Sequence, residues 1–284
     1  MYVIRAASRA RWTSSLIAAL AGVFGLLALL LLTASTPSAS ASSPNGPKPT
    51  VVLVHGAWAD SSGWREVIRR LQKDGYRVLA PANPLRSLDG DSAYVASVLA
   101  QEQGPFVLVG HSYGGAVITN AAAGNPNVNA LVYINGFVPD VGEDILHLAG
   151  EGSLAPTSIE FKAIHIPPLG PTDFDVYIKP ANFHETFAGD LSTKDAAVLA
   201  VTQRPIALDA AAAATFATAW RTIPSWYLLG RQDRTITPVA QRFMADRARS
   251  ETVEINASHL SILSQPRAVV DLIEEAAAEV AGDG

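Results

Sequence analysis

The sequence predicts an α/β fold in which a mainly parallel six-stranded sheet is flanked by helices and carries a helical cap insertion. Three observations predict it. Short apolar runs rich in β-branched residues recur at 50–55, 76–80, 106–110, 130–135, 226–230 and 252–256. Continuous runs of this length suit strands buried on both faces of a parallel sheet. Amphipathic stretches of helical length lie between most of them, at 64–73, 93–103, 113–123, 239–248 and 267–280. Strand and helix alternating in this way mark a doubly wound sheet. The third observation is the one long break in the alternation, from about Asp140 to Thr222.

That break holds Pro167-Pro168, Pro171 and Pro180, then an alanine-rich stretch over 208–219 that reads as helical. It is too long for a plain crossover and too apolar for disorder. The expectation is a cap (about 140–222) over the carboxyl edge of the sheet, where ligands bind in such folds.

The domain is expected to span 50–284, which leaves the N-terminal segment to explain. Arg5, Arg9 and Arg11 precede an apolar run from about Leu16 to Leu32, and small residues follow from Thr33 to Ser43, including Ala39-Ser40-Ala41. This is the layout of a secretory signal with an A-x-A cleavage site. Residues 1–41 are therefore expected to be removed, giving a secreted protein with Ser42 near its N-terminus. The alternative is an uncleaved segment that anchors the chain in a membrane, since the run approaches spanning length. Residues 42–49 (Ser-Ser-Pro-Asn-Gly-Pro-Lys-Pro) form a turn-rich linker.

Composition removes several function classes. The net charge is −5 with acidic and basic residues interspersed, so no basic patch suggests a nucleic acid partner. There is no cysteine, which excludes disulfides, a thiol nucleophile and thiolate metal sites.

The chemistry centres on Gly110-His111-Ser112-Tyr113-Gly114, which joins the run at 106–110 to the helix that follows it. G-x-S-x-G between a strand and a helix is the arrangement that exposes a nucleophilic serine on a tight turn. The flanking glycines let the chain turn sharply, and the helix N-terminus adds positive potential where an oxyanion would form. A hydroxyl needs a base to attack, and there are six histidines. His111 should point away from the hydroxyl, and His55 reads as support for the loop after the first strand. His147, His165 and His184 fall in the insertion without strand-end context. His259 follows the last strand in a polar loop and is the candidate base. Asp233, three residues beyond the strand at 226–230, is the candidate acid, with Asp140 as the rival. The order Ser112…Asp233…His259 suits this architecture. Gly56 closes the first strand and lets the backbone pass close to a bound carbonyl, so the amides of Ala57 and Tyr113 are candidate oxyanion donors. Trp58 is a candidate pocket residue.

From about Thr50 onward the chain resembles small α/β-hydrolase-fold enzymes, a group that includes plant methyl-ester esterases, hydroxynitrile lyases and bacterial carboxylesterases. Four motifs carry the resemblance: Val-Leu-Val-His-Gly-Ala-Trp (52–58), Val-Gly-His-Ser-Tyr-Gly-Gly (109–115), Gly-Arg-Gln-Asp-Arg-Thr-Ile-Thr-Pro (230–238) and Ala-Ser-His-Leu-Ser (257–261). The resemblance implies Ser112, Asp233 and His259 as a triad, Ala57 and Tyr113 as oxyanion donors, and no metal or organic cofactor. It implies hydrolysis of a small-molecule ester, with lactones also in range. Plant hydroxynitrile lyases carry threonine where this chain has Gly56, which weakens a lyase reading. Relatives acting on epoxides or haloalkanes use aspartate where Ser112 stands. Cofactor-free perhydrolysis, and non-catalytic binding of a small molecule, are also compatible with these motifs.

Overall fold

The computed structural model describes residues 48–166 and 170–282. The expected signal peptide at 1–41, nearly all of the expected linker, and Pro167-Pro168 lie outside the described residues.

Strand β1 (Thr50–Val54) is five residues long and wholly buried. A short 3-10 turn follows, in which Asp60 accepts a hydrogen bond from the Ser62 amide at 2.7 Å. It leads into α1 (Arg65–Lys73), which turns Val67 and Leu71 inward. Next come β2 (Val78–Leu79), α2 (Leu88–Leu99), β3 (Phe106–His111), α3 (Tyr113–Ala121) and β4 (Val128–Ile134). The long connection then supplies α4 (Ile145–Leu148), α5 (Ala155–Ser158), β5 (Ile159–Ile166), β6 (Gly170–Ile178), α6 (Pro180–Phe187), α7 (Thr193–Thr202), β7 (Ile206–Ala207) and α8 (Leu208–Ala212). The chain returns to the main sheet with β8 (Ser225–Gly230), α9 (Pro238–Ala248) and β9 (Glu251–Ile255), and ends in α10 (Ser261–Ser264) and α11 (Pro266–Gly282).

The main sheet has the order β2-β1-β3-β4-β8-β9, and every neighbouring pair is parallel. Because side chains alternate across a strand, the buried runs feed two cores. Val52, Val54 and Leu108 pack with Tyr113, Val117 and Met244 on one face. Val51, Leu53, Val107 and Val109 pack with Leu71, Val269 and Ile273 on the other. Full burial of such side chains contributes about 1.5–3 kcal/mol each, so the sheet holds the loops at its carboxyl edge on a rigid base. The outer strand β9 is largely exposed. Its Glu254 is paired with both Arg231 and Arg242, a charged edge of the kind that discourages pairing with another sheet.

Three local differences from the sequence expectation have physical causes. Helix α2 begins at Leu88, ahead of the 93–103 stretch marked by apolar periodicity, because Ser87 caps it by accepting from the Gly90 amide at 3.1 Å. After Leu88, the rest of its first turn (Asp89, Gly90, Asp91) carries no apolar signal. The alanine-rich stretch is helical only as far as Ala212, and Ala213 is extended. Alanine propensity alone does not sustain a short helix; beyond it the Thr215 amide donates to the Glu143 carbonyl (2.8 Å). The insertion also contains more than helices: β5, β6 and β7 form an antiparallel three-stranded sheet. Backbone bonds tie this insertion to the loops at the main sheet's carboxyl edge, from Ala207 N to Leu85 O (2.9 Å) and from Trp58 N to Arg204 O (2.8 Å).

Candidate active site

Strand β3 runs without a break into Ser112, and α3 starts at the next residue. Ser112 itself adopts φ 53°, ψ −126°. A non-glycine residue held at positive φ is strained, and such strain persists where the surroundings over-determine it. The neighbouring glycines serve clearance. A Cβ on Gly114 would lie 2.2 Å from Val54 O, and one on Gly56 would lie 2.5 Å from Ser112 Cβ. Only bare backbone lets the loop after β1 approach the serine this closely.

The turn delivers Ser112 Oγ to His259, at 2.8 Å from Nε2. The same imidazole places Nδ1 at 2.7 Å from Asp233 Oδ2. All three side chains are buried. Asp233 leaves β8 and folds back, so that its Oδ1 accepts from the amides of Thr235 (2.8 Å) and Ile236 (2.9 Å). Its Oδ2 accepts from Asn135 Nδ2 (3.0 Å) and Gln241 Nε2 (2.8 Å) as well as facing His259. The rival carboxylate, Asp140, is occupied elsewhere, paired with Arg221 at 2.5 Å.

Sequence reasoning does not find Asn135 and Gln241. Asn135 ends the β4 run, accepts from Ser261 Oγ and sits at φ 43°. Gln241 is one turn inside α9, where Nε2 also bonds Ile236 O (2.7 Å). A polar residue closing a buried strand is the available signal for Asn135; a glutamine inside a surface helix offers none.

The other histidines have structural settings. His111 points away from the hydroxyl, with Nε2 2.9 Å from the His259 carbonyl and its ring 4.9 Å from the His259 ring. His55 Nδ1 contacts Gly56 O (2.9 Å), and Asn83 Nδ2 donates to the His55 carbonyl (3.0 Å). His147 pairs with Asp144 at the surface, and His184 faces Leu191 O; the His165 side chain is outside the described residues.

Burial lowers the pKa of His111 to about 3 and of His55 to about 4. In the unfolded chain both would take a proton near pH 6.5. The unfolded state therefore binds more protons between that pH and the folded values, so their contribution is present above about 6.5 and is lost as the medium is acidified. Thermal melts from about pH 7.5 down to about pH 4 are expected to show a steady decline, shallower in His111→Gln than in wild type. Equal slopes in the two proteins would assign the acid sensitivity to other groups.

Ala57 lies in the loop after β1, and Tyr113 is the first residue of α3. Among the described residues neither backbone N–H has a protein acceptor, whereas the adjoining amides of Trp58 and Ser112 bond Arg204 O (2.8 Å) and Ile134 O (3.3 Å). The Tyr113 hydroxyl donates to buried Asp91 (2.8 Å), which anchors the start of α3 and so the Tyr113 amide. Ser112, Ala57 and Tyr113 share a cavity of about 350 Å³. Phe137, Ile145, Ala149, Ile159 and Ile206 form its walls, and Leu146 and Phe161, each about half exposed, stand at its mouth. Trp58 lines it too.

A model of the alpha/beta hydrolase family matches residues 51–272, most of the chain. The chain belongs to the alpha/beta hydrolase family. The chain is similar to a carbendazim-hydrolysing esterase of Nocardioides sp. (strain SG-4G), with 36% identity over 123 residues. That match covers 39% of this chain and 51% of the relative, so it spans about half of the relative's length. Similarity to the alpha/beta hydrolase nvfD of Aspergillus novofumigatus (strain IBT 16806) is lower, 27%, but covers 82% of this chain and 98% of that one. Among solved structures, polyneuridine aldehyde esterase superposes with a TM-score of 0.70 at 22% identity, covering 81% of this chain and 99% of its own. Tomato methylketone synthase I does so with a TM-score of 0.69 at 18% identity, covering 82% and 99%. At these identities the superpositions establish a shared fold.

Proposed function

We propose that this protein is a serine esterase that hydrolyses neutral carboxylic esters, lactones among them, through an acyl-enzyme on Ser112. The observation that carries this is the hydrogen-bonded chain Ser112–His259–Asp233, whose serine lines an apolar cavity. His259 Nε2 takes the Ser112 proton as Oγ attacks the ester carbonyl, and Asp233 holds Nδ1–H and stabilises the imidazolium. The amides of Ala57 and Tyr113 receive the negative charge on the carbonyl oxygen. The alcohol leaves with the proton from His259, and water then repeats the sequence on the acyl group.

The cavity supports a neutral, apolar substrate group. Apart from Ser112, its polar side chains already have protein partners: Thr235 Oγ1 donates to Thr186 O (2.7 Å), Tyr113 to Asp91, and Trp58 Nε1 to Val176 O (2.8 Å). A charged substituent would be buried there without compensation, at a cost of several kcal/mol. The N-terminal segment supports action outside the cell, with Ser42 near the start of the mature chain.

The test is covalent. The mature protein is incubated with a fluorophosphonate and digested for mass spectrometry. In parallel it is assayed on p-nitrophenyl butyrate, a lactone, carbendazim and a pyrethroid. An adduct on the peptide bearing Ser112 together with ester turnover is expected. Absence of both from folded protein would remove the esterase reading.

A further inference from the structure

Beside the cavity that holds Ser112 lies a second recess of about 520 Å³, lined by Phe183, Phe187, Leu199, Leu260 and Leu263 with a polar rim that includes Asp60 and Asp195. Trp58 is the one residue that lines both. It is held from several directions: its amide bonds Arg204 O, its Nε1 donates to Val176 O in β6, and its ring meets Phe187 edge-on at 5.6 Å. Phe187 in turn packs against His259 at 4.9 Å. The Trp58 backbone has φ 59°, an uncommon setting for a bulky residue. A large side chain kept at a strained position and pinned from two elements of the cap acts as a fixed wall.

We propose that Trp58 is a specificity-determining residue: its indole closes the Ser112 cavity on the side of the second recess and thereby sets the longest apolar chain the site accepts. Without the indole the two apolar spaces join, and a longer chain passes the Trp58 position into the recess beside Leu199. The proposal takes its ligand class from the esterase reading, but the wall itself is a matter of shape and can be read by binding alone.

The experiment therefore has a binding arm and a turnover arm. In the binding arm, the Ser112→Ala protein is melted with methyl esters of increasing chain length, which it holds without hydrolysing. With Trp58 present, the stabilisation is expected to rise with chain length and then level off. With Trp58→Ala added, levelling is expected at least about two methylenes later, each newly buried methylene counting for roughly fourfold in affinity. Leu199→Trp added to Trp58→Ala fills the recess and is expected to bring the limit back, while Leu199→Trp alone leaves the profile as it was. In the turnover arm, with Ser112 intact, the ratio of kcat/KM for a long over a short p-nitrophenyl ester is expected to rise about tenfold in Trp58→Ala. If Trp58→Ala gives no cooperative melt, Trp58→Phe is read in its place, with a smaller outward shift expected. A limit that does not move when the indole is removed, or that Leu199→Trp does not restore, overturns the proposal. A limit that moves in the binding arm while no variant turns over any ester leaves the wall standing and removes the esterase reading.

Discussion

Ser112→Ala is expected to lower kcat for ester hydrolysis by about 10⁶-fold, the scale seen when the nucleophile of such a unit is removed. Its stability should change by no more than about 1 kcal/mol. The separation of the two effects follows from the site. The hydroxyl has one hydrogen-bond partner, His259 Nε2, and the backbone at 112 is held at φ 53°, which alanine must bear as serine does. Nothing else in the core depends on the Oγ atom. Kinetics and a thermal melt on the same preparation check it. Ester turnover within tenfold of wild type in the folded variant would mean that Ser112 is not the nucleophile.

Asp233→Asn is expected to cost about 10⁴-fold in kcat, and unlike Ser112→Ala it should also destabilise the fold. Each oxygen of Asp233 is surrounded by donors. Two backbone amides meet Oδ1, and Asn135, Gln241 and His259 meet Oδ2. An amide in either orientation sets its NH₂ against some of them. Facing His259, it favours the tautomer with the proton on Nε2, which cannot accept from Ser112. Facing the amides of Thr235 and Ile236, it leaves those buried donors unpaired, at about 1–3 kcal/mol. Asp140→Asn is the control, since Asp140 is engaged with exposed Arg221, and its kcat should stay near wild type. A large loss there, with Asp233→Asn nearly active, would move the acid to the rival position.

How far each feature is legible in the sequence depends on how local it is. The inner strands β1, β3, β4 and β8 stand out because continuous apolar runs are a local consequence of burial on both faces. The end of β3, the turn at Ser112 and the start of α3 are contiguous, so strand, turn and helix signals can be read together. The Asp233 and His259 positions follow from strand ends in the same way, and the structure brings both side chains to Ser112 in one hydrogen-bonded chain. The start of α2 escapes the periodicity because Leu88 is followed by Asp89, Gly90, Asp91 and Ser92, which add no apolar residue. The sheet of β5, β6 and β7 is hidden for two reasons. Its strands lie in a segment punctuated by prolines, and β7 pairs with β6 only after α6 and α7 have intervened. A pairing of that kind leaves no turn signal between its two strands.

From residues alone come the parallel sheet, the turn that carries Ser112, and the order of serine, aspartate and histidine, each written in neighbouring residues through period, turn chemistry and strand ends. The cap's mixed make-up, the Asn135 and Gln241 donors on Asp233, and the cavity divided at Trp58 come from the folded chain. They join side chains from positions as distant as Trp58, Phe187, Ile206 and Thr235. No local pattern encodes such contacts, because packing between elements, and not the propensity of any one of them, decides which side chains face the same empty space.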